Sequence, residues 1–284
     1  MAKLQNLAAC ASKRLQQASH LEPAETRIEV RALLCHALGN VSHAWLIAHG
    51  DEPVTDTLRQ SFESLLARRI AGEPIAHILG QREFFGREFK VTPATLIPRP
   101  DTEILIETAL EKTPANQPCR MLDLGTGTGA IGITLALERP LSQVVIVDFS
   151  HEALAVAKEN IQRLAARNVT ALHSDWYSAV QGQRFDLIVS NPPYIETGDP
   201  HLQQGDLRFE PITALASGAD GLDDIRSISS QAAGHLNPGG WLMLEHGYQQ
   251  GTAVRDILQQ HGFTSISTVT DLAGHERVTL GRVD

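Results

Sequence analysis

Apolar and polar positions follow one pattern in the first quarter of the chain and another in the rest. Up to about residue 75, apolar side chains recur at the spacing of amphipathic helices, as in Leu4, Leu7, Ala8, Ala11 and Leu15. Ser42 and Thr55 are candidate N-caps of the third and fourth helices, and glycines follow where the helical pattern stops. The pattern predicts a small helical domain over residues 1–78. Such a domain can bind a substrate or partner, or it can only add stability, and its composition does not decide between these roles.

A short β-hairpin is predicted between this domain and the rest of the chain. The stretch "EFFGREFKV" places two aromatic segments on either side of Gly86, and we assign residues 79–98 to a hairpin linker. The prolines of "LIPRPDTE" exclude a helix until about Asp101. Asp101 is therefore the predicted N-cap of the next helix.

From residue 119 onward, the pattern is that of a doubly wound α/β domain, which we assign to residues 99–284. Seven strands are predicted: "CRMLDL", "QVVIVDF", "VTALHSD", "RFDLIVS", "GWLMLEHG", "TSISTVT" and "ERVTLGR". Helical patterns at about 129–139 and 151–166 separate the first three strands, which favours a mainly parallel sheet covered on both faces. The short gap "DLAGH" before the last strand predicts an antiparallel pair at one edge.

Composition narrows the function classes. The chain has 284 residues, and 33 acidic against 24 basic side chains give a formal charge of −9, which argues against a broad surface for nucleic-acid phosphates. No apolar run is long enough to cross a membrane and no signal peptide begins the chain, so we expect a cytoplasmic protein. Its three cysteines are scattered, which is typical of reduced thiols. The histidines, among them His173, His201 and His246, are not at metal-ligand spacing, and no metal is expected.

A glycine-rich turn predicts a nucleoside site at the first strand. In "MLDLGTGTGAIGITLALE", Gly125, Gly127 and Gly129 lie between a strand and a helix N-terminus. Asp148 ends the next strand, where a carboxylate can accept the hydroxyl hydrogens of a ribose. This loop alone also permits a nicotinamide-dependent enzyme, because Ala130 allows the dinucleotide-type register, or a nonenzymatic nucleoside-binding protein.

The stretch "SNPPYI" has the composition of a rigid clamp for a planar amino group. The Asn191 side-chain oxygen and the Pro192 carbonyl can accept the two hydrogens of an –NH2 group and aim its lone pair at an electrophile. Pro192 and Pro193 stiffen the backbone before a substrate arrives, and Tyr194 offers a ring face for stacking. We therefore assign catalysis to Asn191, Pro192 and Tyr194.

These motifs resemble known ones. "LDLGTGTG" resembles the first motif of the class I S-adenosylmethionine-dependent methyltransferases. In that fold Asp148 would hold the ribose, Asp175 of "HSDW" would accept from the adenine amino group, and Trp176 would lie beside the ring. "NPPY" matches amino-methyltransferases that act on adenine N6 or on glutamine side-chain amides.

The whole chain resembles the peptide chain release factor glutamine methyltransferases, through the helical domain, "LIPRPDTE", "LDLGTGTG", "NPPYI" and "DPHLQQGDLRFEPITAL". The resemblance implies methylation of N5 of the glutamine in the Gly-Gly-Gln loop of bacterial class 1 release factors. It implies S-adenosylmethionine contacts at Gly125, Thr126, Gly127, Thr128, Gly129, Asp148, Trp176 and Asn191. It also implies that Asn191, Pro192, Pro193 and Tyr194 hold the glutamine. The expected partner is a release factor. We expect no direct binding to nucleic acid or membranes, and we expect the enzyme to be a monomer.

The residues on the substrate side form a less specific sequence pattern than the glycine-rich loop or the Asn-Pro-Pro-Tyr motif. We assign Arg99, Asp101 and Glu103 to the wall that faces the substrate, and the acidic and polar loop 196–210 to the border of the same entrance. An N6-adenine nucleic-acid methyltransferase stays open as the alternative, and it would need a basic cleft.

Overall fold

The computed structural model describes residues 3–19 and 21–284, so residues 1, 2 and 20 of the predicted helical domain lie outside the described part. The chain forms two compact units, Met1–Gly80 and Gln81–Asp284. Within the described residues, no helix is long and apolar enough to cross a bilayer.

The smaller unit is helical, as its apolar periodicity predicts. Its helices are α1 (Leu4–Ala18), α2 (Pro23–Ala37), α3 (His43–Ala48), α4 (Asp56–Ile70) and α5 (Ile75–Leu79). Both predicted N-caps are confirmed: the Ser42 side chain accepts from the Trp45 N–H, and the Thr55 side chain accepts from the Leu58 N–H. Leucines from the first, second and fourth helices form the buried core of this unit.

The larger unit begins with the predicted hairpin, β1 (Gln81–Phe84) and β2 (Arg87–Lys90). Its turn takes positive φ at Phe85 (50°) and Gly86 (72°). Phe84 and Phe89 are buried in the core of the larger unit, so aromatic burial anchors the hairpin to that core.

In the described part of the chain, seven strands form the main sheet, in the order β5-β4-β3-β6-β7-β9-β8. Their bounds are β3 (Arg120–Leu124), β4 (Gln143–Asp148), β5 (Val169–His173), β6 (Phe185–Ser190), β7 (Leu236–Glu245), β8 (Thr264–Thr270) and β9 (Glu276–Arg282). The first five along the chain run parallel, and β9 runs antiparallel to both β7 and β8. The predicted antiparallel pairing at one edge is confirmed, with β9 lying one position inside that edge.

Helices cover the sheet and complete the doubly wound architecture. They are α6 (Glu103–Lys112), α7 (Ala130–Glu138), α8 (His151–Arg163), α9 (Asp223–Ala232) and α10 (Gly251–Gln260). The order of the sheet reverses at β3, which pairs with β4 on one side and β6 on the other. The loops that follow β3, β4 and β6 therefore meet at the switch point where doubly wound sheets bind ligands.

The predicted N-cap at Asp101 is wrong. A short 3₁₀ turn already covers Pro100–Thr102, because the fixed φ of Pro100 suits the first position of a helical turn, and α6 continues directly from it. The Asp101 carboxylate instead pairs with Arg277 of β9, at 3.2 Å.

Candidate active site

The glycine-rich loop after β3 takes a left-handed path. Gly125, Gly127 and Gly129 have φ of 68°, 55° and 83°, which residues with a Cβ adopt only at a cost. The three glycines have different surroundings. A Cβ at Gly129 would lie 2.6 Å from the Ile133 side chain, whereas a Cβ at Gly127 would meet no protein atom within 4 Å. Gly129 is therefore required for packing, and Gly127 faces open space.

Alanine substitutions should distinguish the packing role of Gly129 from the open space that Gly127 leaves for a ligand. We expect Gly129→Ala to lower the free energy of unfolding by about 2–4 kcal/mol, because backbone strain and a steric clash add. Gly127→Ala should lower it by only about 1–2 kcal/mol, from strain alone, and yet weaken cofactor binding. Urea unfolding and calorimetric titration with S-adenosylmethionine measure the two effects. Equal stability losses with unchanged affinity would contradict this assignment.

A buried carboxyl holds the loop from beneath. Asp123 is fully buried in β3, and its Oδ2 accepts from the Thr126 hydroxyl at 2.5 Å and from the Gly132 N–H at 3.0 Å. Burial raises the pKa of Asp123 to about 7. The sequence reasoning missed this residue, although one acidic position inside an otherwise apolar, two-side-buried strand was a usable signal.

Asp148 has the geometry expected for a ribose acceptor. Its Oδ2 accepts from the Gly127 N–H and its Oδ1 from the Ser150 N–H, each at 2.8 Å. These bonds fix the carboxylate and occupy half of its acceptor capacity, which leaves acceptor positions for two hydroxyls. Burial raises the pKa of Asp148 above its usual range.

Asp175 and Trp176 follow β5 on the far side of the loop. Trp176 takes a positive φ of 42°, and its ring would lie 3.4 Å from a Cβ at Gly125, so it packs over the start of the loop. The Ser174 hydroxyl donates to the Trp176 carbonyl at 2.7 Å and stabilises this turn. Asp224, at the start of α9, is a second carboxylate here that the sequence reasoning missed. Burial raises the pKa of Asp224, and repulsion from Asp223 and Asp175 adds to the rise.

These groups line a cavity of about 570 Å³, a volume within the usual range for small-molecule sites. Its walls include the predicted cofactor residues Gly125, Thr126, Gly127, Thr128, Asp148, Asp175, Trp176 and Asn191. Gly129 does not line it, because that residue packs behind the loop. The residues fit S-adenosylmethionine: Gly127 leaves space for it, Asp148 can hold its ribose, and the Trp176 indole can cover its base.

The Asn-Pro-Pro-Tyr segment leaves β6 beside this loop and is held rigidly. The Ser190 hydroxyl donates to the Leu124 carbonyl at 2.7 Å, and the Tyr194 and Ile195 N–H groups donate to the Leu215 carbonyl at 3.2 and 2.9 Å. Gln250 donates to the Tyr194 carbonyl at 3.0 Å. The segment is thus fixed at both ends as well as stiffened by its prolines.

Asn191 lies between two cavities. It lines the 570 Å³ cavity together with Pro193, and it lines a neighbouring cavity of about 60 Å³ together with Pro192 and Tyr194. Its Nδ2 donates to the Thr102 hydroxyl at 3.2 Å. The motif therefore forms the boundary where a molecule in the small cavity would meet one in the large cavity.

Of the three residues assigned to the substrate wall, only Arg99 lines both cavities. Its guanidinium pairs with the buried Glu210 at 2.6 Å, and the other oxygen of Glu210 accepts from the Ile97 N–H at 3.0 Å. Burial raises the pKa of Glu210, and Arg99 opposes that shift. Glu103 is elsewhere: its carboxylate accepts from the Phe85 N–H at 2.9 Å and fixes the hairpin turn. Neither Glu103 nor Asp101, which pairs with Arg277, lines either cavity, and their assignment to the substrate wall stays a prediction.

The predicted entrance loop contributes one residue to these walls. Leu207 of the segment 196–210 lines the small cavity, and the segment forms two short 3₁₀ turns, Pro200–Gln203 and Gly205–Phe209. In the described part of the chain, no three His, Cys, Asp or Glu side chains are arranged to hold a metal ion.

Comparisons with known protein families and solved structures identify the fold of this chain. Residues 100–205 match the model of the Methyltransferase small domain, and residues 6–80 match the PrmC N-terminal domain. A methyltransferase from Pyrococcus furiosus superposes with a TM-score of 0.54 at 19% identity, covering 78% of this chain and 98% of the other. A T. thermophilus 16S rRNA methyltransferase in complex with AdoMet and guanosine gives 0.53 at 22% identity, covering 72% and 50%. The fold and the site define a class I S-adenosylmethionine-dependent methyltransferase.

Curated relatives identify the family within this class of methyltransferases. Proteins named release factor glutamine methyltransferase match from Escherichia coli (50% identity, 93% of this chain and 95% of the relative), Vibrio cholerae (50%, 96% and 94%) and Pseudomonas aeruginosa (51%, 90% and 92%). The chain belongs to the release factor glutamine methyltransferase family. This membership decides between the alternatives that the glycine-rich loop left open: the chain is a methyltransferase that uses S-adenosylmethionine.

Proposed function

We propose that this enzyme methylates the side-chain amide nitrogen, N5, of the glutamine in the Gly-Gly-Gln loop of bacterial class 1 peptide chain release factors. The observation that carries the proposal is the position of Asn191 between the large cavity and the small one. A glutamine side chain entering through the small cavity would present its amide to Asn191 at the edge of the cofactor cavity. The names of the curated relatives support the same substrate.

In the proposed mechanism, S-adenosylmethionine in the large cavity supplies an electrophilic methyl group. The chain's own residues prepare the nucleophile. The Asn191 Oδ1 and the Pro192 carbonyl accept the two hydrogens of the glutamine –NH2 group, which weakens its conjugation with the carbonyl and aims the nitrogen lone pair. As the N–CH3 bond forms, the S–CH3 bond of the sulfonium would break and leave a neutral thioether. No strong base is needed beforehand, because the N–H hydrogens become acidic only as the nitrogen gains the methyl group, and the surplus proton can then leave to water.

Tyr194 has a binding role in this proposal, with its ring beside the glutamine amide in the small cavity. Burial and the nearby Glu245 carboxyl raise the pKa of Tyr194, so its hydroxyl stays protonated at neutral pH. The Tyr194 hydroxyl therefore acts as a donor toward Glu245 and not as a base.

The other site residues have binding roles in this proposal. Pro193 and Arg99 complete the substrate side, and the cofactor is bound by Gly125, Thr126, Gly127, Thr128, Asp148, Asp175 and Trp176.

The remaining expectations rest on this substrate. We propose that residues 1–78 bind the release factor, that 79–98 form the linker, and that 99–284 form the methyltransferase domain. We also propose that the enzyme is a monomer. The net charge of −9 supports a protein substrate over nucleic acid, and a release factor substrate supports a cytoplasmic location.

Mass spectrometry of a purified release factor tests the proposal. After incubation with the enzyme and S-adenosylmethionine, we expect one added methyl group on the glutamine of the Gly-Gly-Gln loop. A release factor with alanine in place of that glutamine should gain none. Methylation of separately offered DNA or RNA, with the release factor unmodified, would instead support an N6-adenine methyltransferase.

A further inference from the structure

A buried carboxyl lies behind the Asn-Pro-Pro-Tyr segment. Glu245, the last residue of β7, is 1% exposed, and its Oε1 accepts from the Tyr194 hydroxyl at 3.4 Å. Among the described residues, its Oε2 has no hydrogen-bond partner at normal distance. A buried acceptor without a partner costs free energy, so stability alone does not account for a carboxyl at this position.

Thr102 connects this carboxyl to Asn191. Thr102 is 4% exposed; its hydroxyl interacts with Glu245 and favours the charged form of that carboxyl, and it also accepts from Asn191 Nδ2 at 3.2 Å. A hydroxyl has one hydrogen to donate, and a carboxylate can only accept. Because an ionised Glu245 can only accept, the Thr102 hydroxyl is best oriented with its hydrogen toward that carboxylate, which leaves the Thr102 oxygen to accept from the Asn191 –NH2 group.

This direction of hydrogen bonding determines which end of the Asn191 amide faces the substrate. With Nδ2 held by Thr102, Oδ1 lies on the other side of the planar amide, where an acceptor is needed for a glutamine –NH2 group. A protonated Glu245 can donate to Thr102 instead, and the Thr102 hydrogen is then free to bind Asn191 Oδ1. The Asn191 amide would then rotate by about 180°, and its Nδ2, a donor, would face the glutamine –NH2 group, which is also a donor.

We propose that Glu245 is a positioning residue for methyl transfer: through Thr102 it holds the Asn191 amide with Oδ1 toward the substrate, and through Tyr194 it fixes the ring beside it. This inference rests on the proposed function, because it presumes that Asn191 accepts from the glutamine amide. Glu245 itself acts through Thr102 and Tyr194 and has no contact with the substrate in this account.

The surroundings of Glu245 give the proposal a pH dependence. Burial raises its pKa to about 7; Arg277 of β9 opposes this rise, and Asp101 adds to it. Arg277 also pairs with Asp101 at 3.2 Å and with Asp271 at 2.9 Å, and burial lowers the pKa of the adjacent His246. The productive orientation needs the carboxylate, so transfer should be fastest above the pKa of Glu245 and should slow as the pH falls through it.

Two substitutions and their matched controls test the proposal. We expect Glu245→Gln and Thr102→Val each to slow single-turnover methylation at saturating substrates about 10-fold or more at alkaline pH. Glu245→Gln should also flatten the rate profile between about pH 6 and 9. Thr102→Ser should restore most of the rate, and the double variant should be no slower than either single one. The controls are Thr108→Val, on the helix α6 that directly follows Thr102, and Glu138→Gln, whose carboxylate pairs with Arg87.

Cofactor affinity and thermal stability distinguish positioning from structural support. Glu245→Gln should leave the Kd for S-adenosylmethionine unchanged and the Tm unchanged or higher, since it removes a buried ionisable group. A wild-type rate and pH profile in Glu245→Gln would overturn the inference. So would a slower rate accompanied by a matching loss of Tm and cofactor affinity. If wild-type enzyme fails to methylate release factor, the proposed function fails and this inference falls with it; if wild type succeeds, the Glu245 variant tests the inference alone.

Discussion

Replacing Asn191 with alanine is expected to lower the single-turnover rate of methyl transfer to a release factor about 10²–10³-fold. The substitution removes the oxygen that we propose accepts one hydrogen of the glutamine amide at the boundary of the two cavities. The Pro192 carbonyl would then hold the –NH2 group alone, with its lone pair poorly aimed. The measurement is rapid-quench transfer of a labelled methyl group with enzyme in excess over release factor.

A matched control is Asn237→Ala. Asn237 is also half-buried and donates to a side chain, Asp186, at 2.7 Å, but it lies near the start of β7 and lines neither cavity. Its variant should transfer at the wild-type rate, and the Kd of the Asn191 variant for S-adenosylmethionine should change much less than its rate. A near-wild-type rate in Asn191→Ala would remove Asn191 from the mechanism.

The second large effect is expected at Asp148. Asp148→Ala should raise the Kd for S-adenosylmethionine about 10²-fold, because the loss of charge-assisted hydrogen bonds to a ribose costs affinity and the Gly127 and Ser150 N–H groups lose their partner. Since burial raises the pKa of Asp148, wild-type affinity should fall as the pH drops through that raised pKa, where the carboxylate gains a proton. Calorimetric titration over a pH series measures both effects.

Asp256→Ala is the control for this experiment, since Asp256 is an exposed carboxylate on α10 outside both cavities. Its Kd should equal that of wild type at every pH. If Asp148→Ala bound the cofactor as tightly as wild type, the ribose-acceptor role would be wrong, whatever its effect on stability.

Local patterns were sufficient to predict the fold and the position of the site. The seven apolar strands, the intervening helices and the short last connection specify the doubly wound sheet with its antiparallel pair. Because loops that follow parallel strands meet at the switch point, the glycine-rich loop, Asp148 and Asn191 could be expected to come together. The position of the site could therefore be predicted from the residues that follow the ends of the strands.

Contacts between distant segments were not predictable in the same way. Thr102, Glu245 and Glu210 are far apart in sequence. Only the packing of the 3₁₀ turn before α6, the end of β7 and the loop before α9 brings them to the Asn-Pro-Pro-Tyr segment. The local capping rule placed Asp101 incorrectly, because its partner, Arg277, belongs to another element. The contact of Glu103 with the Phe85 N–H likewise joins two separate elements and could not be read from local sequence. Glu245 at the end of an apolar strand was a usable signal, as Asp123 was, since a carboxyl there lies at the edge of the sheet that binds ligands.

The proposed position of the glutamine amide at Asn191 can be observed in a crystal structure of the enzyme with the demethylated cofactor, S-adenosylhomocysteine, and a release factor. We expect the glutamine amide nitrogen to lie about 2.7–3.2 Å from both Asn191 Oδ1 and the Pro192 carbonyl oxygen, with its open face toward the cofactor sulfur. A glutamine bound with its nitrogen out of reach of Asn191, or an Asn191 side chain turned away from the small cavity, would contradict it.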